Sequence, residues 1–351
     1  MRLLFATTQS YLPQRVGGTQ RSTHELALAL AARGNDVAVL CELDRPRDWT
    51  HLKNRAIARM TGHSYPCDCW RPYRVYRGYD PPNGAHEVAR AFRPDVAIVH
   101  AGVAVPLARA FLDDGIRTVL YFRDVQFHAM GGCVPRHPRL RFLANSAFTA
   151  SRVASELGIQ APVVQPLVYR DTYRATATGG HVLFVNPVVK KGVNTAFELA
   201  RRNPDIPFVF LESWPIPPRQ IESLTCALST LRNVTFRRAS LQMAREYARA
   251  RILLVPSVWE EAWGRVVTEA QLSGIPVIAS AIGGLPESVG AGGILIPPGS
   301  EIEVWSAHLR RLWSSDTVYE CYRQRAIDHS RRPEIDQDHL LTRFLAAVSG
   351  W

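Results

Sequence analysis

Two carboxylates, Glu261 and Glu269, stand eight positions apart in the stretch Val255-Pro-Ser-Val-Trp-Glu-Glu-Ala-Trp-Gly-Arg-Val-Val-Thr-Glu269. Upstream, Arg251-Ile-Leu-Leu-Val-Pro256 has the length and apolarity of one buried strand. Downstream, Gly264 opens a segment with Val266, Val267, Ala270 and Leu272 on an apolar face, which predicts a helix ending near Ser273-Gly274. The first amides of that helix, around Trp263, Gly264, Arg265 and Val266, lack intrahelical partners and favour an anion such as a phosphate. Gly264 leaves room for a ligand to approach the backbone. From Gly264 to Glu269 the helix rises about 7–8 Å, roughly the reach from a diphosphate to the ribose behind it. Glu269 is thus expected to accept hydrogen bonds from ribose hydroxyls, with Glu261 facing whatever the diphosphate carries. As an isolated spacing, the same pair also describes two ordinary solvent-facing charges beside a helix start.

The wider pattern narrows that choice. Pro256-Ser-x-x-Glu-Glu-Ala-Trp-Gly-x-Val-x-x-Glu-Ala270, followed by Gly274-Ile-Pro-Val-Ile and Gly283-Gly-Leu-Pro-Glu287, resembles the retaining GT-B glycosyltransferases of the family-4 type (glycosyl transferases group 1). The resemblance implies that Glu269 holds the nucleotide ribose. It implies that Glu261 and the loop amides of Ala262 and Trp263 contact the donor sugar, and that the amides of Gly264, Arg265 and Val266 hold the phosphates. Gly283 and Gly284 form a second glycine loop whose amides face sugar or phosphate.

Asn186-Pro-Val-Val-Lys-Lys191-Gly192 matches the family's phosphate loop in part. Lys191 fits its diphosphate lysine, but Asn186 stands where an arginine is usual. Arg265 or Lys190 is expected to supply the second charge. Gly17-Gly18 corresponds to a glycine pair at the cleft floor near the donor phosphates; it is not a Gly-x-Gly-x-x-Gly dinucleotide fingerprint. In the loop Phe122-Arg123-Asp124-Val-Gln-Phe-His128, Arg123 occupies the family's histidine position and Asp124 retains the acid. Asp124 and His128 are therefore expected to line the cleft, with Glu261 and Lys191 as the other catalytic candidates. The turn near Arg237–Ser240 matches the segment that binds the base, mostly through backbone groups.

The elements that must position these residues follow in order. Arg2–Ala6 reads as a strand, Thr7–Gly18 as a glycine-containing loop and Thr19–Arg33 as a helix closed by Gly34. Val37–Cys41, Pro94–His100, Arg117–Tyr121 and Leu140–Asn145 continue the strands, with His100 at a carboxyl end where open α/β sheets place ligands. Ser146 is placed to cap the helix Phe148–Leu157. Met130-Gly-Gly-Cys133 suggests a mobile segment. Asp44 to Tyr73 reads as irregular, a surface loop near the acceptor side. It contains His63-x3-Cys67-x-Cys69, three metal-ligand types without the second pair that a zinc ribbon needs.

The expected fold is α/β, GT-B, with two Rossmann-like domains facing a cleft. Residues 1–168 form the acceptor-side domain, 169–180 a linker and 181–330 the nucleotide-sugar domain. Residues 331–351 end in an amphipathic helix returning to the first domain. The chain has 351 residues, 46% hydrophobic and 21% charged, as for a soluble globular protein of two domains. Six irregularly spaced cysteines suggest reduced thiols in a cytoplasm. A net charge of +11 suits anions. Nucleotide phosphates and an anionic membrane surface are the partners read from it, the latter through peripheral association at the inner face. The basic residues are dispersed and match no nucleic-acid motif, so no nucleic acid is expected.

The function implied is metal-independent transfer of a hexose-type sugar, with retention, from a nucleotide diphosphate donor to an acceptor hydroxyl of a glycan, lipid-linked or small molecule. No cofactor is expected. The alternatives are a degenerate GT-B scaffold subunit, suggested by Asn186 and Arg123, and a nucleotide-sugar hydrolase or epimerase.

Overall fold

The computed structural model describes residues 1–45, 48–68, 72–238 and 242–350. The chain divides into two compact units, Met1–Leu167 with Asp338–Trp351, and Val168–Gln337. Among the described residues each unit is built on one largely parallel sheet.

The first sheet contains β1 (Arg2–Ser10), β2 (Asp36–Glu42), β3 (Cys67–Asp68), β4 (Arg74–Gly78), β5 (Val96–Val99), β6 (Arg117–Phe122) and β7 (Leu140–Ala144). Their order is β3-β4-β2-β1-β5-β6-β7, with only the edge strand β3 antiparallel among the described residues. The second sheet contains β8 (His181–Val185), β9 (Phe208–Leu211), β10 (Val234–Arg237), β11 (Ala250–Val255), β12 (Val277–Ser280) and β13 (Gly293–Ile296), in the order β10-β9-β8-β11-β12-β13. Central strands such as Leu3-Leu4-Phe5-Ala6 and Ile252-Leu253-Leu254 are buried on both faces. That is why they read as continuous apolar runs without alternation.

The strand order locates the sites. In the second unit the chain runs outward from β8 through β9 to β10, then returns to β11 on the other flank of β8. The crevice outside the carboxyl ends of β8 and β11 is therefore a topological switch point, where such sheets bind ligands. In the first unit the same reversal falls between β1 and β5. The loops leaving β8 and β11 carry Lys191 and Glu261; those leaving β1 and β5 carry Gly17 and His100.

The helix Gln337–Ser349 belongs to the first unit, where Phe344 stacks on Phe5 with ring centroids 6.0 Å apart. Ser146 caps the helix Ala147–Leu157 by accepting from Thr149 N at 2.9 Å. The segment read as a linker is docked on the second unit. It holds a short helix, Arg170–Tyr173, and its Tyr173 carbonyl accepts from Ser273 Oγ at 3.2 Å.

One reading is corrected. Asp44 to Tyr73 is not irregular: it holds the helix Trp49–Thr61, capped by Asp48 accepting from His51 N at 2.7 Å and closed by Gly62 at φ 72°. In the segment 130–133, Met130 is buried and Gly131, Gly132 and Cys133 are exposed, with a Cβ at Gly131 lying 2.3 Å from Val103 Cγ1.

Candidate functional site

In the second unit, the loop after β8 turns through Asn186 at φ 61° and Gly192 at φ 82°. Gly192 is required on two grounds. Its backbone is left-handed, and a Cβ there would stand 1.8 Å from the Pro256 carbonyl oxygen. The loops leaving β8 and β11 thus touch backbone to backbone, and Val258 N donates to Lys190 O at 3.2 Å. Across this seam Lys191 Nζ is ion-paired with Glu261 Oε1, which also accepts from Ser257 Oγ at 2.9 Å. The Lys191 ammonium lies 5.4 Å from the centroid of the Trp214 ring.

Asn186 is buried, and its Oδ1 accepts from Ser213 N at 2.8 Å and Trp214 N at 3.2 Å. It therefore fixes the loop that carries Trp214. The glycine pair supports the Glu261 loop in a similar way. A Cβ at Gly283 would lie 2.5 Å from Glu261 O, and one at Gly284 2.4 Å from Ala262 O. The Gly284 amide donates to Glu261 O at 2.6 Å, so that amide is occupied inside the loop.

Glu269 lies in the helix Arg265–Gln271, which follows Gly264 at φ 85°. Its Oε1 accepts from Arg265 Nε at 2.7 Å and its Oε2 from the Tyr247 hydroxyl at 2.8 Å. Arg265 Nη2 also donates to the Tyr173 hydroxyl at 3.0 Å. Burial, then the adjacent Glu269 charge, hold the Tyr247 phenol well above its usual range, which keeps it a hydrogen-bond donor. Arg265 is buried and paired with Glu269, as Lys191 is paired with Glu261. Lys190 is exposed, with its ammonium 5.8 Å from the Trp259 ring centroid. Trp263 is buried and donates from Nε1 to Thr268 Oγ1 at 3.0 Å, clamping the helix start; the next residue but two, Val266, is half-buried.

In the first unit the Thr23 hydroxyl is the meeting point. It donates to Thr19 O at 2.9 Å, receives Arg123 Nη1 at 2.7 Å and lies 3.3 Å from His100 Nε2. With the Thr23 proton given to Thr19 O, this geometry suits the His100 tautomer that donates from Nε2; Nδ1 is buried without a partner. Burial, reinforced by Arg123, lowers the His100 pKa well below the ordinary imidazole range, so the ring is neutral. Arg123 also lies over the Tyr121 ring, 4.3 Å from its centroid. Asp124 is half-buried, accepts from Gln126 N at 3.2 Å and has its pKa raised by burial. His128 is exposed on the turn Phe127–Met130. Gly17 precedes the helix Gly18–Ala32, with Gly18 exposed and open space where a Cβ would be.

The family model described as Glycosyltransferase Family 4 matches residues 16–166, and the one described as Glycosyl transferases group 1 matches residues 183–315. Each match falls within one unit, the first starting after β1 and the second taking in the loops that leave β8 and β11. The chain belongs to the group 1 glycosyltransferases of the GT-B type.

Solved structures agree on the fold of this family member. Anabaena HepE, solved with UDP and glucose, is 17% identical with a TM-score of 0.77, each chain covered over 100%. A glycosyltransferase of Rickettsia africae is 13% identical with a TM-score of 0.72, covering 99% of this chain and 98% of its own. Curated relatives match shorter segments. The D-inositol 3-phosphate glycosyltransferase of Corynebacterium aurimucosum is 39% identical over 88 residues, 24% of this chain and 20% of the relative. That of Segniliparus rotundus is 31% identical over 141 residues, 38% of this chain and 31% of the relative. The chain thus spans about a fifth to a third of the length of these curated relatives.

Some sequence readings fall partly outside the described residues. Of the base turn, Ala239 and Ser240 lie outside them; Arg237 pairs with Glu246 at 2.9 Å and Arg238 with Glu212 at 2.7 Å. Of the His63-x3-Cys67-x-Cys69 set, Cys69 lies outside, and His63 pairs with Glu87 at 3.6 Å. Among the described residues no group of three His, Cys, Asp or Glu side chains is placed to hold a metal ion. Asp338, in the chain's Asp-x-Asp triplet Asp336-Gln-Asp338, is held by Arg33 at 2.5 Å. Thr23, Tyr173, Trp214, Tyr247 and Ser257 were not foreseen from the sequence. Ser257 alone had a signal, because its Pro-Ser dipeptide leads straight off β11.

Proposed function

We propose that this protein is a retaining glycosyltransferase that moves a hexose-type sugar from a nucleoside diphosphate to an acceptor hydroxyl. The observation that carries the reading is the Lys191–Glu261 pair, formed by two loops at the switch point of the second sheet. A diphosphate leaving group gathers negative charge as the glycosidic bond breaks, and a preorganised cation lowers that barrier. Donor entry draws the Lys191 ammonium from Glu261 to the phosphates. Glu261 then faces the hydroxyls of the sugar, and Glu269, oriented by Arg265 and Tyr247, faces the ribose. The departing phosphate oxygen takes the acceptor proton on the same face of the sugar, which accounts for retention. In this reading Lys191 and backbone amides serve where other enzymes employ a metal ion.

HepE's bound UDP makes a uridine nucleotide the first donor to try. The name shared by the curated relatives makes a polyol phosphate the first acceptor. No helix among the described residues is long and apolar enough to cross a membrane, and we place the reaction on the cytoplasmic side.

Calorimetric titration with UDP, GDP, ADP and dTDP, repeated on Glu269→Gln, tests the donor site. Selective binding by one base, weakened about tenfold in the variant, supports the reading. Absence of binding by all four defeats it and favours the degenerate scaffold. Anomeric analysis of the product, with and without chelator, tests retention and independence of metal. Free sugar formed without an acceptor would indicate the hydrolase.

A further inference from the structure

The helix Trp49–Thr61 of the first unit packs in the opposite sense to an ordinary surface helix. Its buried residues are the polar Thr50, His51 and Asn54. Inside, His51 Nδ1 lies 2.9 Å from Asp44 O, and Asn54 donates to Thr50 O at 2.8 Å. To the outside it presents Trp49 at 80%, Leu52 at 51% and Met60 at 86% exposure. At about 100° per residue, positions 49, 52, 56 and 60 fall in one stripe roughly 80° wide, so Ala56 joins the three large side chains. Among the described residues, three of the ten large apolar side chains that are exposed therefore gather in one stripe of this helix. Scattered exposed apolar residues need no account, but a stripe does.

Within the helix the charge beside the stripe is of one sign, with the capping Asp48 at its start engaged by the His51 amide. By the same helical geometry Arg55 and Arg59 border one edge and Lys53 the other, and the helix contains no Asp or Glu. Lys53 is paired with Asp68 at 2.9 Å; Arg55 and Arg59 are exposed and make no ion pair among the described residues. Outward tryptophan, leucine and methionine flanked by arginines match what a helix lying in a bilayer interface requires.

We propose that this helix docks the protein on an anionic lipid surface, Trp49, Leu52 and Met60 entering the headgroup boundary and Arg55 and Arg59 meeting lipid phosphates. A second copy of the chain is the poorer occupant, because it would bring the same uncompensated arginines together. The net charge of +11 acts in the same direction as the local one.

The test is co-sedimentation of the full chain with phosphatidylcholine vesicles and with mixed phosphatidylcholine–phosphatidylglycerol vesicles. We expect at least about tenfold preference for the anionic vesicles, weakened by salt. Leu52→Ser/Met60→Ser and Arg55→Glu/Arg59→Glu should each cut that binding about tenfold. Because all four positions are exposed, their melting temperatures should match the parent and exclude misfolding as the cause. No partition into anionic vesicles, or variants that partition like the parent, overturns the proposal. So does a concentration-dependent dimer dissolved by the serine variant without lipid binding, which would assign the stripe to a second copy.

Discussion

Arg265 Nε and Glu269 Oε1 lie 2.7 Å apart, one helical turn from each other and both almost wholly buried. The residue read as the ribose acceptor is thus held in a buried ion pair before any nucleotide arrives. Removing one member of such a pair leaves the other charge uncompensated, a loss of about 3–5 kcal/mol. Glu269→Ala should therefore lower the melting temperature as well as weaken nucleotide binding, whereas Arg265→Met/Glu269→Gln should recover part of the stability and none of the binding. Thermal denaturation beside calorimetry separates the effects; equal melting of Glu269→Ala and parent would contradict the pairing.

Lys191 has Glu261 as its partner, so a diphosphate must compete with that carboxylate. Lys191→Ala should weaken nucleoside diphosphate binding by about 1.5–3 kcal/mol, roughly 10- to 100-fold. Glu261→Gln should leave binding of the bare nucleotide equal or several-fold tighter while lowering turnover about 100-fold or more. If Glu261→Gln lost nucleotide affinity as Lys191→Ala does, the competition would be refuted.

Gly192 combines a left-handed backbone with a hypothetical Cβ 1.8 Å from Pro256 O. The backbone strain of Gly192→Ala alone is roughly 1–3 kcal/mol, and the clash pushes the two phosphate-side loops apart. Gly18→Ala, with open space around its Cβ, serves as the control and should cost far less. Comparable losses of stability in the two variants would contradict the backbone seam.

His100 is buried and neutral, its pKa depressed well below the ordinary 6.5 by desolvation and by Arg123. His181 is likewise lowered, to about 4, by burial and by Arg237 and Arg249. On acidification below about pH 6.5 the unfolded chain takes up protons that the folded chain refuses, so stability falls with falling pH. For His181 the fall continues until the pH passes about 4. Melting temperature should drop between pH 7 and pH 5, and His100→Gln should flatten the slope. An unchanged slope in that variant would remove His100 from the account.

Much of the fold is legible in the sequence because parallel strands buried on both faces leave unbroken apolar runs such as Ile252–Val255, and glycines mark where helices stop. The helix Trp49–Thr61 was hidden for the opposite reason: its polar side faces inward, so its periodicity predicts no buried apolar face.

The sequence by itself determined which residue types were available and how they were spaced along single elements: Glu261 and Glu269 around Gly264, Lys191 before Gly192, the polar ends of β5 and β7. Tertiary structure decided the pairings, because those partners meet only when separate strands align. Lys191 reaches Glu261 across 70 positions, Arg123 reaches Thr23 across 100, and Arg265 reaches Tyr173 across 92. No local period encodes such distances. Whether a side chain such as Lys191 has a carboxylate beside it depends on which loop the packing brings across the seam.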